Sequence, residues 1–164
     1  MSHYKQQEFD FIDRTKQIIK QYDNLTPSTG EEKYEVTLLL NCLVGLLILP
    51  QQEWFGHLPT EITTSNDWGI DETEIEVIKN SSLKDEDKTI ANIAKHLRNS
   101  VAHYRFKVFS DKKEDIGDIE FSDYKGVKKK EREKTFKAKI SVKSLQKFTE
   151  KLTDVLMAKM KEHN

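Results

Sequence analysis

After His103 the apolar residues change their period, and this limits the folds open to the chain. Up to that point they recur at helical spacing: Ile90, Ile93, Ala94, Leu97 and Val101 fall on one side of a wheel turning about 100° per residue. Beyond it they alternate. Tyr104, Phe106 and Val108 alternate with Arg105 and Lys107; Ile119 and Phe121 with Glu120 and Ser122; Phe136, Ala138 and Ile140 with Lys137 and Lys139. From Val142 the helical period returns through Leu145, Phe148, Leu152, Val155, Leu156 and Met160. A two-fold pattern buries one face of a strand and a 3.6-fold pattern one stripe of a helix, and neither serves for the other. The chain therefore places three short strands joined by charged turns, an antiparallel meander, between two helices.

The remaining periodicity is helical. One helix is predicted from about Tyr4 to Tyr22, with Phe9, Ile12, Ile19 and Tyr22 on one face and Phe11 and Ile18 widening it. Thr26-Pro27-Ser28-Thr29-Gly30 reads as a loop. Glu31 and Glu32 suit the start of a second helix that ends at Leu49, before Pro50. Residues 51–82 hold Pro59, Gly56, Gly69, Trp54 and Trp68 and read as an irregular connection with a short helix from Glu72 to Lys79. The tryptophans are expected as packing anchors. The third helix is predicted from Lys84 to His103, opened by Asp85, Glu86 and Asp87, and the fourth from a Ser141 cap to Met160. The expectation is a mainly α chain of four main helices with a small antiparallel meander. At 164 residues, with no linker and no repeat, 1–164 reads as a single domain.

The longest apolar run, Val36 to Leu49, is broken by Asn41 and falls short of the roughly 20 residues of a membrane span. With no secretory pattern at the start and one cysteine, Cys42, inside that run, a cytoplasmic protein with a buried free thiol is expected, and no membrane partner. A net charge of −1 makes no case for nucleic acid. The local run Lys125, Lys128, Lys129, Lys130, Arg132 and Lys134 reads either as a solvated loop or as a patch that tracks phosphates. Phosphate loops, nucleophile elbows, zinc spacings and calcium loops are absent, and His3, His57 and His163 read as surface residues.

The third helix carries the chemistry. Asn99 and His103, four residues apart, lie one above the other and point away from the apolar stripe; His96 falls on the same outer face and Arg98 on a flank beside Ala102. The plain reading is a solvated face carrying Lys95, Asn99 and His103. The chemical reading is phosphodiester cleavage in RNA. That reaction needs a group that titrates near neutral pH, which histidine supplies, and a permanent cation with two parallel donors for phosphate, which arginine supplies. One helix offers one histidine here; two copies about a two-fold axis would offer an acid, a base and a pair of arginines.

Arg98-Asn99-Ser100-Val101-Ala102-His103 resembles the R-x4–6-H motif of the HEPN superfamily, with a polar residue after the arginine. The run Tyr34 to Pro50, with Leu38-Leu39-Leu40-Asn41-Cys42-Leu43, resembles the second helix of a plasmid- and phage-defence-associated HEPN branch, whose motif helix also leads into a short meander. The resemblance covers roughly Tyr34 to Leu156. It implies a HEPN-like helical bundle, a homodimer, and a metal-independent endoribonuclease with a composite site and no cofactor. His103 would be the acid/base residue, Arg98 the phosphate clamp and Asn99 its polar support. Asn41 would give a supporting hydrogen bond to the motif or a helix contact. Arg105 and the lysines Lys128, Lys129 and Lys130 would add RNA contacts. HEPN toxins silenced by nucleotidylation carry a tyrosine two residues after the histidine; here that position is Arg105, so this control is not expected. Besides a toxin or defence ribonuclease with an antitoxin or partner, two readings stay open: a non-catalytic RNA- or nucleotide-binding module, and a dimerising partner subunit.

Overall fold

The alternating segments form strands. A computed structural model describes residues 7–24, 35–48, 55–59, 68–78, 88–110, 116–125 and 132–163. The helices are α1 (Gln7–Asn24), α2 (Glu35–Ile48), α3 (Ile90–Ala102) and α4 (Val142–His163), and the strands β1 (Ile75–Ile78), β2 (Phe106–Ser110), β3 (Ile116–Lys125) and β4 (Glu133–Ser141). The sheet is antiparallel in the order β1-β4-β3-β2. Consecutive pairing of β2, β3 and β4 is the expected meander. Phe106 sits opposite Phe121, and Phe121 opposite Ala138, so one register carries the apolar residues of all three strands.

The fourth strand departs from expectation. Of the stretch Glu72 to Lys79, read as a short helix, residues 72–78 form a single 3-10 turn over Glu72–Glu74 followed by β1, and Lys79 lies outside the described residues. Asp71 caps the turn: its carboxylate accepts from Thr73 N at 2.8 Å while Glu74 accepts from Asp71 N at 2.8 Å. So short a stretch gains little from helical hydrogen bonds. Paired with the open edge of β4, Ile75 buries its side chain and Lys137 reaches Glu76 at 2.5 Å.

α3 and α4 both pack on β3, and the helices pack on one another through α1–α2, α1–α4, α2–α3 and α2–α4. One continuous core results. It joins Ile12, Leu43, Leu46, Ile93, Leu97, Phe121, Phe136, Phe148 and Leu152 among others. Each large apolar side chain taken fully out of water contributes about 1.5–3 kcal/mol. Trp68 is buried, 5.9 Å from the Phe148 ring, as a packing anchor. The neighbouring Gly69 has φ +83°, and a Cβ there would stand 2.8 Å from the Ser144 carbonyl, so glycine is required at this crossing. Trp54, Leu49, Pro50, Glu31, Glu32 and the loop 26–30 lie outside the described residues. Cys42 is buried, and burial pushes its thiol up from the ordinary value. No helix among the described residues is long and apolar enough to cross a membrane.

α3 begins at Ile90 and not at Lys84. Thr89 is extended, and its hydroxyl caps the helix by accepting from Asn92 N at 3.2 Å. The acidic trio 85–87 lies outside the described residues. At the other end of the meander, the Ser141 hydroxyl accepts from Ser144 N at 3.0 Å and opens α4, as its residue type predicts.

Candidate functional site

α3 ends in a tight turn. His103 is the C-cap, and its N–H bonds to the Asn99 carbonyl at 3.1 Å. Tyr104 N–H bonds to Val101 O at 3.0 Å and Arg105 N–H to Ser100 O at 2.7 Å. These last two form a Schellman motif, which needs its next-to-last residue in the left-handed region. That residue is Tyr104, with φ +53°. Glycine is the usual occupant; an L-residue there costs about 1–2 kcal/mol. Tyr104 is therefore neither the first strand residue nor part of the apolar stripe. It is 83 % exposed.

The turn is stitched to the sheet. Ser122 N–H bonds to Arg105 O at 3.0 Å, and the buried Ser100 hydroxyl lies 2.7 Å from His96 O and 2.9 Å from Ser122 O. Next on β3 is Asp123, only 4 % exposed. One carboxylate oxygen accepts from Asn99 Nδ2 at 2.7 Å and lies 3.0 Å from His96 Nδ1. The other accepts from Arg105 Nη1 at 3.1 Å and from Tyr124 N–H at 2.8 Å. On its far side Asn99 Oδ1 accepts from Arg98 Nε at 3.0 Å and Nη2 at 2.6 Å. This amide orientation alone turns oxygen to the guanidinium and nitrogen to the carboxylate. The result is a relay from Arg98 through Asn99 to a buried anion that also grips His96 and Arg105.

Burial by itself would push the Asp123 carboxyl up. The hydrogen bonds from His96, Asn99 and the Tyr124 backbone, with the His96 charge, outweigh it, and the carboxyl lies below its usual value. A carboxyl held low in the folded chain contributes stability above its unfolded value, near 3.9, and loses that contribution as pH falls through its folded value. Urea unfolding of wild type and Asp123→Asn is therefore expected to show a stability gap at about pH 7 that narrows below about pH 4. A gap that stays constant into acid would refute this role for the charge.

The sequence placed His96, Asn99 and His103 together on an outer face, and the structure separates them. His103 is exposed. Asn99 is half-buried between Arg98 and Asp123. His96 is buried at 6 % exposure, its ring stacked 5.0 Å from Phe136 at 3°, with Nε2 buried and unbonded. The reason is the sheet, which folds back over this flank of α3 and buries what a lone helix would leave in water. Arg105, expected to contact RNA phosphate, binds Asp123 and lies over the Tyr124 ring at 5.5 Å. Asn41 is exposed on α2, and no hydrogen bond joins it to the motif residues among the described residues. Lys128, Lys129 and Lys130 lie outside the described residues.

Asp123 is the residue that sequence reasoning missed. Its signal was present: Ile119, Phe121 and Asp123 share one face of β3, so the alternation carries a carboxylate onto the apolar side. A charge in such a place needs partners, and the motif helix supplies them.

Among the described residues, four helices and an antiparallel sheet hold an Arg-Asn-x-x-x-His helix end against the sheet, an arrangement consistent with the HEPN class. A family model described as HEPN pEK499 p136 matches residues 1–163, and the chain belongs to that family. No curated protein and no solved structure matches it.

Proposed function

We propose that this HEPN chain is an endoribonuclease whose active site forms between two copies, with residues 1–164 acting as one domain built on a HEPN-like helical bundle. The observation that carries the reading is the division of labour at the end of α3. Asp123 and Asn99 hold the Arg98 guanidinium from behind, while His103, at the C-cap, is open to solvent. A cation held in place and an imidazole open to solvent, both at the end of one helix, are groups that in-line cleavage of RNA uses.

In the proposed reaction one His103 takes the proton of the 2′-hydroxyl. The 2′-oxygen bonds to phosphorus, the P–O5′ bond breaks, and His103 of the second copy donates a proton to the leaving 5′-oxygen. The products are a 2′,3′-cyclic phosphate and a 5′-hydroxyl. The two Arg98 side chains carry the charge that builds on the phosphoryl oxygens. Arg98, Asn99 and His103 need no metal or cofactor for these steps. Lys128, Lys129 and Lys130, with Asn41 where the two copies meet, are assigned to RNA and dimer contacts. A cytoplasmic toxin or phage-defence effector restrained by an antitoxin or partner protein fits this activity.

The test is incubation of total cellular RNA with the full chain in the presence of chelator. Discrete fragments ending in 2′,3′-cyclic phosphate are the expected result. Salt-dependent RNA binding without cleavage would replace this reading by a non-catalytic RNA-binding module. A dimer that neither binds nor cuts RNA would replace it by a partner subunit.

A further inference from the structure

Tyr104 occupies a position that folding alone does not explain. The left-handed C′ place of the Schellman turn suits glycine, and tyrosine is strained there. The ring regains little by packing. It meets the half-buried Phe106 at 4.9 Å in an edge arrangement, and the residue stays 83 % exposed. Strain at an exposed aromatic points to a use outside the fold. The backbone around it is fixed, since Tyr104 N–H and Arg105 N–H are both spent on α3 carbonyls and Arg105 O is bonded to Ser122 N–H. The ring is thus presented on a rigid platform, directly after His103 in the chain.

We propose that Tyr104 is a stacking platform for a nucleobase of single-stranded RNA next to the phosphate handled by His103 and Arg98. The inference rests on the ribonuclease reading and adds to it a substrate class and a positioning residue. Unstacked bases of single-stranded RNA are recognised on aromatic side chains, whereas the bases of a duplex stay within their own stack. A rigid ring loses little freedom when a base settles on it. The Tyr104 position therefore selects loops and single strands over helical RNA, and holds the nucleotide while the neighbouring side chains act on its phosphate.

The experiment uses the full chain carrying His103→Ala, so that RNA is bound and not cut, with Tyr104 intact or changed to Phe or Gly. The probe is a mixed-sequence pool of short single-stranded RNAs containing 2-aminopurine, whose emission is quenched by stacking. Tyr104→Gly is expected to weaken binding roughly tenfold to a hundredfold and remove the quenching, the loss of one base–aromatic stack. The same variant is expected to melt about 2–4 °C higher, since glycine relieves the strained turn. Tyr104→Phe is expected to bind within about twofold of the parent, because the π-face is kept. Equal binding by the glycine variant would overturn the proposal, as would equal affinity of the parent for a duplex of the same sequences. Loss of self-association on Tyr104→Gly would also overturn it, assigning the ring to contact between copies. RNA binding by none of the proteins would sink the ribonuclease reading itself.

Discussion

His103→Ala is expected to reduce RNA cleavage by about 10²–10⁴-fold, the range supplied by a positioned acid or base. The fold should barely respond. His103 is exposed, its N–H bond to Asn99 O is a backbone bond that alanine keeps, and surface changes of this kind are usually within about 0.5 kcal/mol. The measurement is therefore paired: initial rates on a defined RNA, and urea unfolding of the same preparations. An inactive variant with wild-type stability places His103 in the chemistry. An active one removes it, and with it the proposal that two copies of His103 share the proton transfers.

Asp123→Ala carries the largest expected loss of stability. The four groups bonded to the carboxylate are all donors: His96 Nδ1, Asn99 Nδ2, Arg105 Nη1 and Tyr124 N–H. Alanine leaves them facing one another without an acceptor, with the Arg105 charge among them. Removing one partner of such a buried, charged cluster costs about 3–5 kcal/mol. Asp123→Asn keeps the volume but turns its amide nitrogen toward two of these donors, so an intermediate loss is expected. Activity should fall in both variants for a further reason. Asn99 loses the anchor on its nitrogen, and Arg98 then loses a fixed acceptor. Because Asp123 acts through Asn99 and Arg98, KM should rise together with a fall in kcat. A fall in kcat with KM unchanged would mean that Asp123 does not act through Arg98. Full activity in a folded Asp123→Ala chain would show that Arg98 needs no support.

The elements legible in advance were those whose hydrophobic period runs long enough to choose between helix and strand. The α4 stripe and the three strands of the meander were of this kind, and the Ser141 cap followed from residue type. β1 was not legible. Its four residues favour neither period by themselves, and pairing with β4, about sixty residues away in sequence, decides the matter. The surroundings of the candidate site were half legible. Arg98, Asn99 and His103 stood out by type and spacing, but a wheel treats a helix as though one side faced core and the other water. The sheet adds a third surrounding, polar and buried, and this is where His96 and Asn99 lie. Tyr104 was misplaced for a related reason. Extending the strand alternation one step too far hid the turn, whose left-handed residue has no sequence mark when it is not glycine or asparagine.

The order β1-β4-β3-β2 puts the chain segments on either side of α3 at opposite borders of the sheet. The C-terminal end of α3 is fixed to β3 through Ser100 and Asn99, and the 13 residues of the helix, roughly 20 Å long, set the phase in which the motif arrives there. One residue added within it would carry the motif about 1.5 Å along and 100° round, away from the carboxylate that holds it. Pairing of β3 with both β2 and β4 fixes that carboxylate in turn, so the helix end answers to the register of the sheet.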